Sequence, residues 1–302
     1  MALVGGIGWG FSGACGQFLF TQYGMDPLWL SSVRMTGAGI ILLVVCAFRP
    51  KWRASLRGMF TSTSEVARLL LFALAGLMTC QVSYLFAIKF SNAGTATVLQ
   101  YIGPVLIVVF VCLRGARLPR LREVAAILCV LAGTYLLATH GDPSTMVLST
   151  NGLVWGLLAA VAVALYTLLP MGLMDRWGAV PVTGAALTIG GVLLCVVLRP
   201  WENPPVLDAA GIAAVAAMIV FGTAMGFALY LQGVADIGAS KASLIASVET
   251  VSATAFAVLW LGTVFMPMDF VGFVFIMATV LILMERKQDG SSAAAPSPAP
   301  AD

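Results

Sequence analysis

The chain has 302 residues, of which 60% are hydrophobic and 10% are charged, and its mean hydropathy is +1.00. A soluble domain carries about 25% charged residues, so the composition excludes a soluble surface and predicts an integral membrane protein that faces the lipid bilayer. The net charge of +3 is small, and the Lys and Arg residues cluster at segment ends, which argues against nucleic acid as a partner.

No cofactor or metal site is predicted. Each of the six cysteines lies inside an apolar run without CxxC spacing, and the single histidine, His140, lies in the polar stretch HGDPST. The sequence contains no GxxxxGK[ST] motif, so ATP is not the expected energy source.

Apolar runs predict an all-α membrane protein with about ten transmembrane helices, since a helix needs about 20 apolar residues to cross the hydrocarbon core. The alternating pattern of a membrane β-barrel does not occur. The predicted spans are 2–22, 28–48, 66–88, 93–113, 122–139, 151–172, 180–198, 208–232, 239–261 and 267–284.

The distribution of Lys and Arg predicts the orientation of these spans. The connections after the second and fourth spans are the most basic, so both are expected to be cytoplasmic. This arrangement puts 13 of the 16 basic residues inside, Lys89 and Arg199 outside, and Arg34 within a span. Both termini are then cytoplasmic, and residues 287–302, rich in Pro, Ala and Ser, are predicted to form a disordered cytoplasmic tail.

The sequence contains an internal repeat at a fixed offset of 146 residues. A GxxWG motif opens both halves, because Gly6, Trp9 and Gly10 align with Gly152, Trp155 and Gly156. Further identities at this offset are Gly76 with Gly222, Tyr84 with Tyr230, Leu85 with Leu231, Ala93 with Ala239, Ala96 with Ala242 and Val105 with Val251. Two tracts in one register favour a duplication, with a first repeat over 1–140 and a second over 151–286.

Five spans in each half require the second repeat to enter the membrane from the opposite side. Inverted repeats are typical of secondary transporters, which bind substrate near the bilayer midplane and expose it to each side in turn. The GxxxG spacings, such as Gly6 with Gly10 and Gly222 with Gly226, fit close helix packing.

Three stretches resemble the EamA-type transporters of the drug/metabolite transporter superfamily: GIGWGFSGACGQFLF, NAGTATVLQYIGPVLIVVF and GASKASLIASVETVSATAFAVLWLG. The resemblance covers residues 1 to about 285 and is strongest to a poorly characterised bacterial inner-membrane branch. It implies a multi-pass transporter in the bacterial inner (plasma) membrane, in a family that includes exporters of amino acids and related metabolites. This chain departs from the family in reading Glu249-Thr250 where Glu-Pro is common, whereas the first half keeps its proline as Pro104. It also lacks the family's LGE after the fourth and ninth spans.

Glu249 and Arg34 are the charges predicted to lie deep in the membrane. A central carboxylate costs about 2.5–3.5 kcal/mol, and the seven large apolar residues around Glu249 return only about 2–4 kcal/mol, so this residue must face the protein interior or a wet cavity. Two interpretations stay open for Glu249: a proton-coupling group or a hydrogen-bonded strut between helices. Arg34 either snorkels or binds helix carbonyls, or it contacts substrate directly.

Polar and aromatic residues at helical spacing predict the lining of a substrate cavity. They are Trp9, Ser12, Gln17, Gln81, Tyr84, Gln100 and Tyr101 in the first half, and Trp155, Tyr166, Tyr230, Ser243 and Ser247 in the second. Interfacial anchoring is an equal alternative for Tyr84 and Tyr230. Amide, hydroxyl and aromatic groups suit a small amphipathic, amino-acid-like molecule better than an inorganic ion.

The sequence therefore predicts a secondary active transporter that exports small amphipathic metabolites by alternating access, with protons as the candidate coupling ion. No oligomeric state is predicted. The alternatives are an intramembrane lipid-modifying enzyme, for which no nucleophile–base pair or metal cluster is found in the sequence, and a pore, for which no charged ring or carbonyl filter is found.

Overall fold

The computed structural model describes residues 1–116, 118–142, 146–237, 242 and 245–284, and these residues form helices without strands. The predicted tail over 287–302 lies outside the described residues. The first half contains α1 Ala2–Tyr23, α2 Pro27–Ala47, α3 Pro50–Met59, α4 Thr63–Phe90, α5 Ala93–Gln100, α6 Gly103–Arg114 and α7 Leu121–Thr139. The second contains α8 Thr150–Leu168, α9 Met171–Trp177, α10 Ala179–Leu198, α11 in three continuous segments (Ala209–Ala217, Met218–Met225 and Gly226–Ile237), α12 Val248–Leu259 and α13 Pro267–Met284.

Seven helices of the described residues are long and apolar enough to cross a bilayer: α2, α4, α5 with α6, α7, α8, α10 and α11. The prediction of ten spans is therefore met in part. Helix α1 has 22 residues, but six glycines dilute its apolar content. Helix α12 has only 12 residues, a rise of about 18 Å, because a turn at Ser247 interrupts the predicted ninth span.

Polar residues cap the helices that begin at sharp chain reversals. In each case the side-chain oxygen accepts a hydrogen bond from a backbone N–H of the first turn, which satisfies a donor that lacks an intrahelical partner. These caps are Asp26 for α2, Asn92 for α5, Ser149 for α8 and Asp208 for α11. The caps thus place each helix start where a polar residue interrupts the apolar sequence.

Helix α1 lies at the centre of the bundle, and its glycines allow close approach by neighbouring helices. A Cβ at Gly10 would lie 2.1 Å from Ser252 Oγ and 2.6 Å from the backbone nitrogen of Ala253 in α12. A Cβ at Gly13 would lie 2.7 Å from the Tyr84 hydroxyl in α4. Small residues on α1 therefore bring elements of both halves to one point.

The two halves pack as equivalent units. Helix α1 packs on α11 as α8 packs on α4, and α1 packs on α12 as α8 packs on α5 and α6. The remaining large interfaces, α2 with α10 and α7 with α13, join equivalent helices of the two halves. Exchanging the halves thus preserves the packing pattern.

Two local irregularities recur at the offset of the sequence repeat. Helices α4 and α11 each contain a π-helical stretch, Phe72–Met78 and Met218–Met225, whose first residues are 146 positions apart. The helix breaks at Tyr101 and at Ser247, also 146 positions apart. The second break occurs without the proline that the first half carries, so the departure at Thr250 does not remove it.

Candidate functional site

A central cavity of about 70 Å³ lies where the two halves meet. Seven helices contribute to it: α1, α2, α4, α5, α8, α11 and α12. The lining residues are Trp9, Arg34, Leu77, Cys80, Gln81, Tyr84, Gln100, Tyr166, Phe227 and Glu249. This cavity combines one basic and one acidic side chain with amide, hydroxyl and aromatic groups.

A larger groove of about 620 Å³ lies between α2, α10 and α11. Its lining is mainly apolar, and Arg49 lies over the Trp52 ring at its α3 end, 4.4 Å from the ring centroid. The groove lacks the convergent polar groups of the central cavity, so the smaller cavity is the better candidate for specific recognition.

One face of α4 forms a wall of the central cavity. Leu77, Cys80, Gln81 and Tyr84 follow the i, i+3, i+4, i+7 spacing that places side chains on the same side of a helix. The Tyr84 hydroxyl shares a 2.8 Å hydrogen bond with Thr97 Oγ1 of α5, which fixes the ring. Gln81 is only 8% exposed, and its Nε2 has no hydrogen-bond partner among the described residues.

Arg34 of α2 is buried and reaches across to the second half. Its Nε donates a 2.8 Å hydrogen bond to Thr223 Oγ1, and that hydroxyl donates to the Met218 carbonyl. Thr223 belongs to the π-helical stretch of α11, so this irregularity supplies the acceptor. The Nη1 atom of Arg34 is buried, and no residue that the structure describes accepts a hydrogen bond from it. At 5% exposure, Arg34 does not snorkel to the interface.

Glu249 lies in the first turn of α12, directly after the helix break at Ser247. The amino end of a helix favours negative charge, so the break places this carboxylate in a favourable electrostatic position. Tyr101, at the equivalent break of the first half, donates to Glu249 Oε2 over a long 3.4 Å. The two broken helices therefore meet at the cavity through these side chains.

Aromatic rings form the remaining wall. Trp9 of α1 packs against Phe227, with a centroid distance of 5.4 Å, and against Tyr230 at 5.1 Å. Gly226 leaves room for this indole, because a Cβ there would lie 2.6 Å from Trp9 Nε1. Tyr166 of α8 adds a ring from the second half.

Seven of the residues singled out in the sequence line the central cavity: Trp9, Arg34, Gln81, Tyr84, Gln100, Tyr166 and Glu249. Tyr101 and Tyr230 lie behind this wall and contact Glu249 and Trp9 respectively. Ser247 forms the turn before α12, and Ser243 lies outside the described residues.

Three other predicted residues pack between helices away from the lining. Gln17 holds three segments together, because its Nε2 donates to Thr263 Oγ1 at 2.7 Å and its Oε1 accepts from the Ala93 backbone at 2.8 Å. Ser12 is buried against Gly222, and its Oγ has no hydrogen-bond partner within the described part of the chain. Trp155 stacks on a phenylalanine ring at 4.4 Å. Their partners come from distant parts of the chain.

Leu77, Cys80 and Phe227 line the cavity but were not predicted. The helical spacing from Gln81 and Tyr84 could have identified Leu77 and Cys80, since all four share a face of α4. Their apolar character gave no reason to separate them from lipid-facing residues.

Comparison with known proteins gives matches along nearly the whole chain. The EamA-like transporter family matches residues 1–139 and 150–284, so the chain contains the family's domain as two repeats. An uncharacterised inner membrane transporter, YicL, of Salmonella typhimurium strain LT2 is 33% identical over 281 residues, covering 93% of each protein. A crystal structure at 17% identity aligns with a TM-score of 0.66 over 97% of this chain and 98% of the other, which shows a shared fold. The chain is a transmembrane protein and belongs to the EamA-like transporter family.

Proposed function

We propose that this protein is a secondary active transporter of the bacterial inner membrane that exports small amphipathic, amino-acid-like metabolites by alternating access. The observation that carries the proposal is the central cavity between two repeats whose helix irregularities recur at one offset. Secondary transporters use such a site between repeats, built in part from discontinuous helices.

The proposed topology is ten spans, arranged as two inverted repeats of five. In this arrangement α1, α12 and α13 complete the seven long spans, and both termini are cytoplasmic. The short α12 falls within the predicted ninth span over 239–261. Rocking of one repeat against the other would then open the cavity to each side in turn.

Topology can be tested with single cysteines in a variant whose six native cysteines are replaced by alanine. Ala54→Cys, in the connection after α2, should react with an impermeant thiol reagent only from the cytoplasm, and Met146→Cys only from outside. Both positions are exposed. Labelling of both from the same side would exclude the inverted arrangement.

Transport can be tested in proteoliposomes with a panel of radiolabelled metabolites. A carrier should show saturable uptake and exchange with internal substrate, whereas a pore should show neither saturation nor exchange acceleration. If no panel member exchanges, the proposed function is wrong for those substrates.

A further inference from the structure

Two residues that line the central cavity carry buried hydrogen-bond donors that no described residue satisfies. Arg34 Nη1 and Gln81 Nε2 both lack a partner, and their residues are 5% and 8% exposed. Buried polar groups are hydrogen-bonded in the great majority of cases, and leaving one unsatisfied is costly. Both residues line the same cavity.

Thr223 and Glu249 are polar neighbours of Arg34. Thr223 already holds Arg34 through Nε, which orients the guanidinium and leaves Nη1 free. Glu249 lines the same cavity, but no ion pair joins it to Arg34 in the part of the chain that the structure describes. Thr223 thus orients the guanidinium, and Glu249 interacts with it electrostatically without an ion-pair contact among the described residues.

A carboxylate matches this arrangement. Its two oxygens accept hydrogen bonds only, and a guanidinium beside an amide N–H₂ offers donors with one compensating positive charge. A neutral hydroxyl would leave Arg34 without an ion-pair contact, and a cation would be repelled by the guanidinium. Apolar and aromatic lining from Leu77, Trp9 and Phe227 suits the remainder of an amphipathic acid.

We propose that the cavity binds its substrate by a carboxylate, held between Arg34 Nη1 and Gln81 Nε2. This inference rests on the proposed transport function and names the chemical group that the site recognises. The carboxylate could belong to an amino acid or to a simple organic acid, and the choice of probes distinguishes the two.

The test measures the binding of each probe to the purified protein in detergent by calorimetry. The probes are the 20 common amino acids, lactate and 2-oxoisovalerate, followed by the carboxamide of each acid that binds. At least one acid should bind, and its carboxamide should bind about 10- to 100-fold more weakly, the loss expected when a charge-assisted hydrogen bond is removed. Equal affinity for acid and carboxamide would overturn the proposal.

The Gln81→Leu variant distinguishes an effect on ligand affinity from an effect on protein stability. It should weaken binding of the acid by about 10-fold or more, yet leave the ligand-free melting temperature unchanged or higher, because the donor it removes has no partner in the folded protein. The matched control is Gln22→Leu, at an exposed position of α1, which should keep wild-type affinity. Unchanged affinity in Gln81→Leu would contradict the assignment of this donor.

Arg34→Gln should abolish preference for the acid over the carboxamide, and Arg199→Gln at the surface is its charge control. Because Arg34→Gln also removes the bond to Thr223, the Gln81 variant decides the case if Arg34→Gln does not fold. Exchange of a sugar or an amine in proteoliposomes, with no acid bound, would refute the carboxylate and leave the carrier function standing. Binding of an acid without exchange of any solute would support the site and refute the carrier.

Discussion

Replacing Glu249 distinguishes a proton-coupling carboxylate from a structural strut. Glu249→Gln keeps the size and the acceptor oxygen but cannot ionise, and Glu249→Leu removes both the acceptor and the charge. The two substitutions therefore separate the loss of a titratable group from the loss of a hydrogen bond.

The geometry limits what a strut could contribute. The Tyr101–Glu249 hydrogen bond is 3.4 Å long, beyond the 2.5–3.0 Å expected for a good O–H···O bond. A well-formed hydrogen bond to a charged group contributes about 1.5–3 kcal/mol, and this long one should contribute below about 1 kcal/mol. Desolvation of the carboxylate opposes that gain, so both variants should unfold within about 1 kcal/mol of wild type.

Thermal unfolding in detergent measures the stability, and solute accumulation in proteoliposomes under an imposed pH gradient measures the coupling. We expect Glu249→Gln to retain exchange of solute across the membrane and to lose gradient-driven accumulation. Accumulation by Glu249→Gln at the wild-type rate and pH dependence would refute coupling. A loss of about 1–3 kcal/mol in Glu249→Leu would instead identify a strut.

Two further substitutions test the packing and the periphery. Gly10→Val should destabilise the protein by about 1–3 kcal/mol in thermal unfolding, because even its Cβ would overlap Ser252 and the α12 backbone. The control, Gly172→Val, should be nearly neutral, because nothing lies within 4 Å of a Cβ at that position. Equal stability of the two variants would contradict the close contact at Gly10. The Tyr23 hydroxyl, followed by the Gly211 N–H, holds the pKa of Asp208 below its ordinary value of 3.8. A depressed folded-state pKa adds stability that is present above pH 3.8 and is lost as the pH falls through the lowered value. The melting temperature of the wild type should therefore fall more steeply below pH 3.8 than that of Asp208→Asn. Parallel pH profiles of the two melting temperatures would exclude this contribution.

Much of the fold could be predicted from the sequence because the bilayer restricts which segments can cross it. A spanning helix must be a long apolar run, so composition and run length predicted membrane helices, and the family match agrees with the resemblance seen in three stretches. The repeat was visible because duplicated segments keep identities at one offset. The interruption of the ninth span could not be predicted, because the helix breaks at Ser247 without a proline or glycine at the break.

The composition of the central cavity was decided by tertiary packing. Gln17 and Gln81 are both amides on apolar helices, and no local pattern distinguishes them. Gln17 bonds to Thr263, 246 residues away, and to the Ala93 backbone, whereas Gln81 lines the cavity and its Nε2 has no partner among the described residues. Local sequence determines that a polar side chain in a membrane helix must find a partner, but the approach of distant helices determines whether that partner is another residue or a ligand.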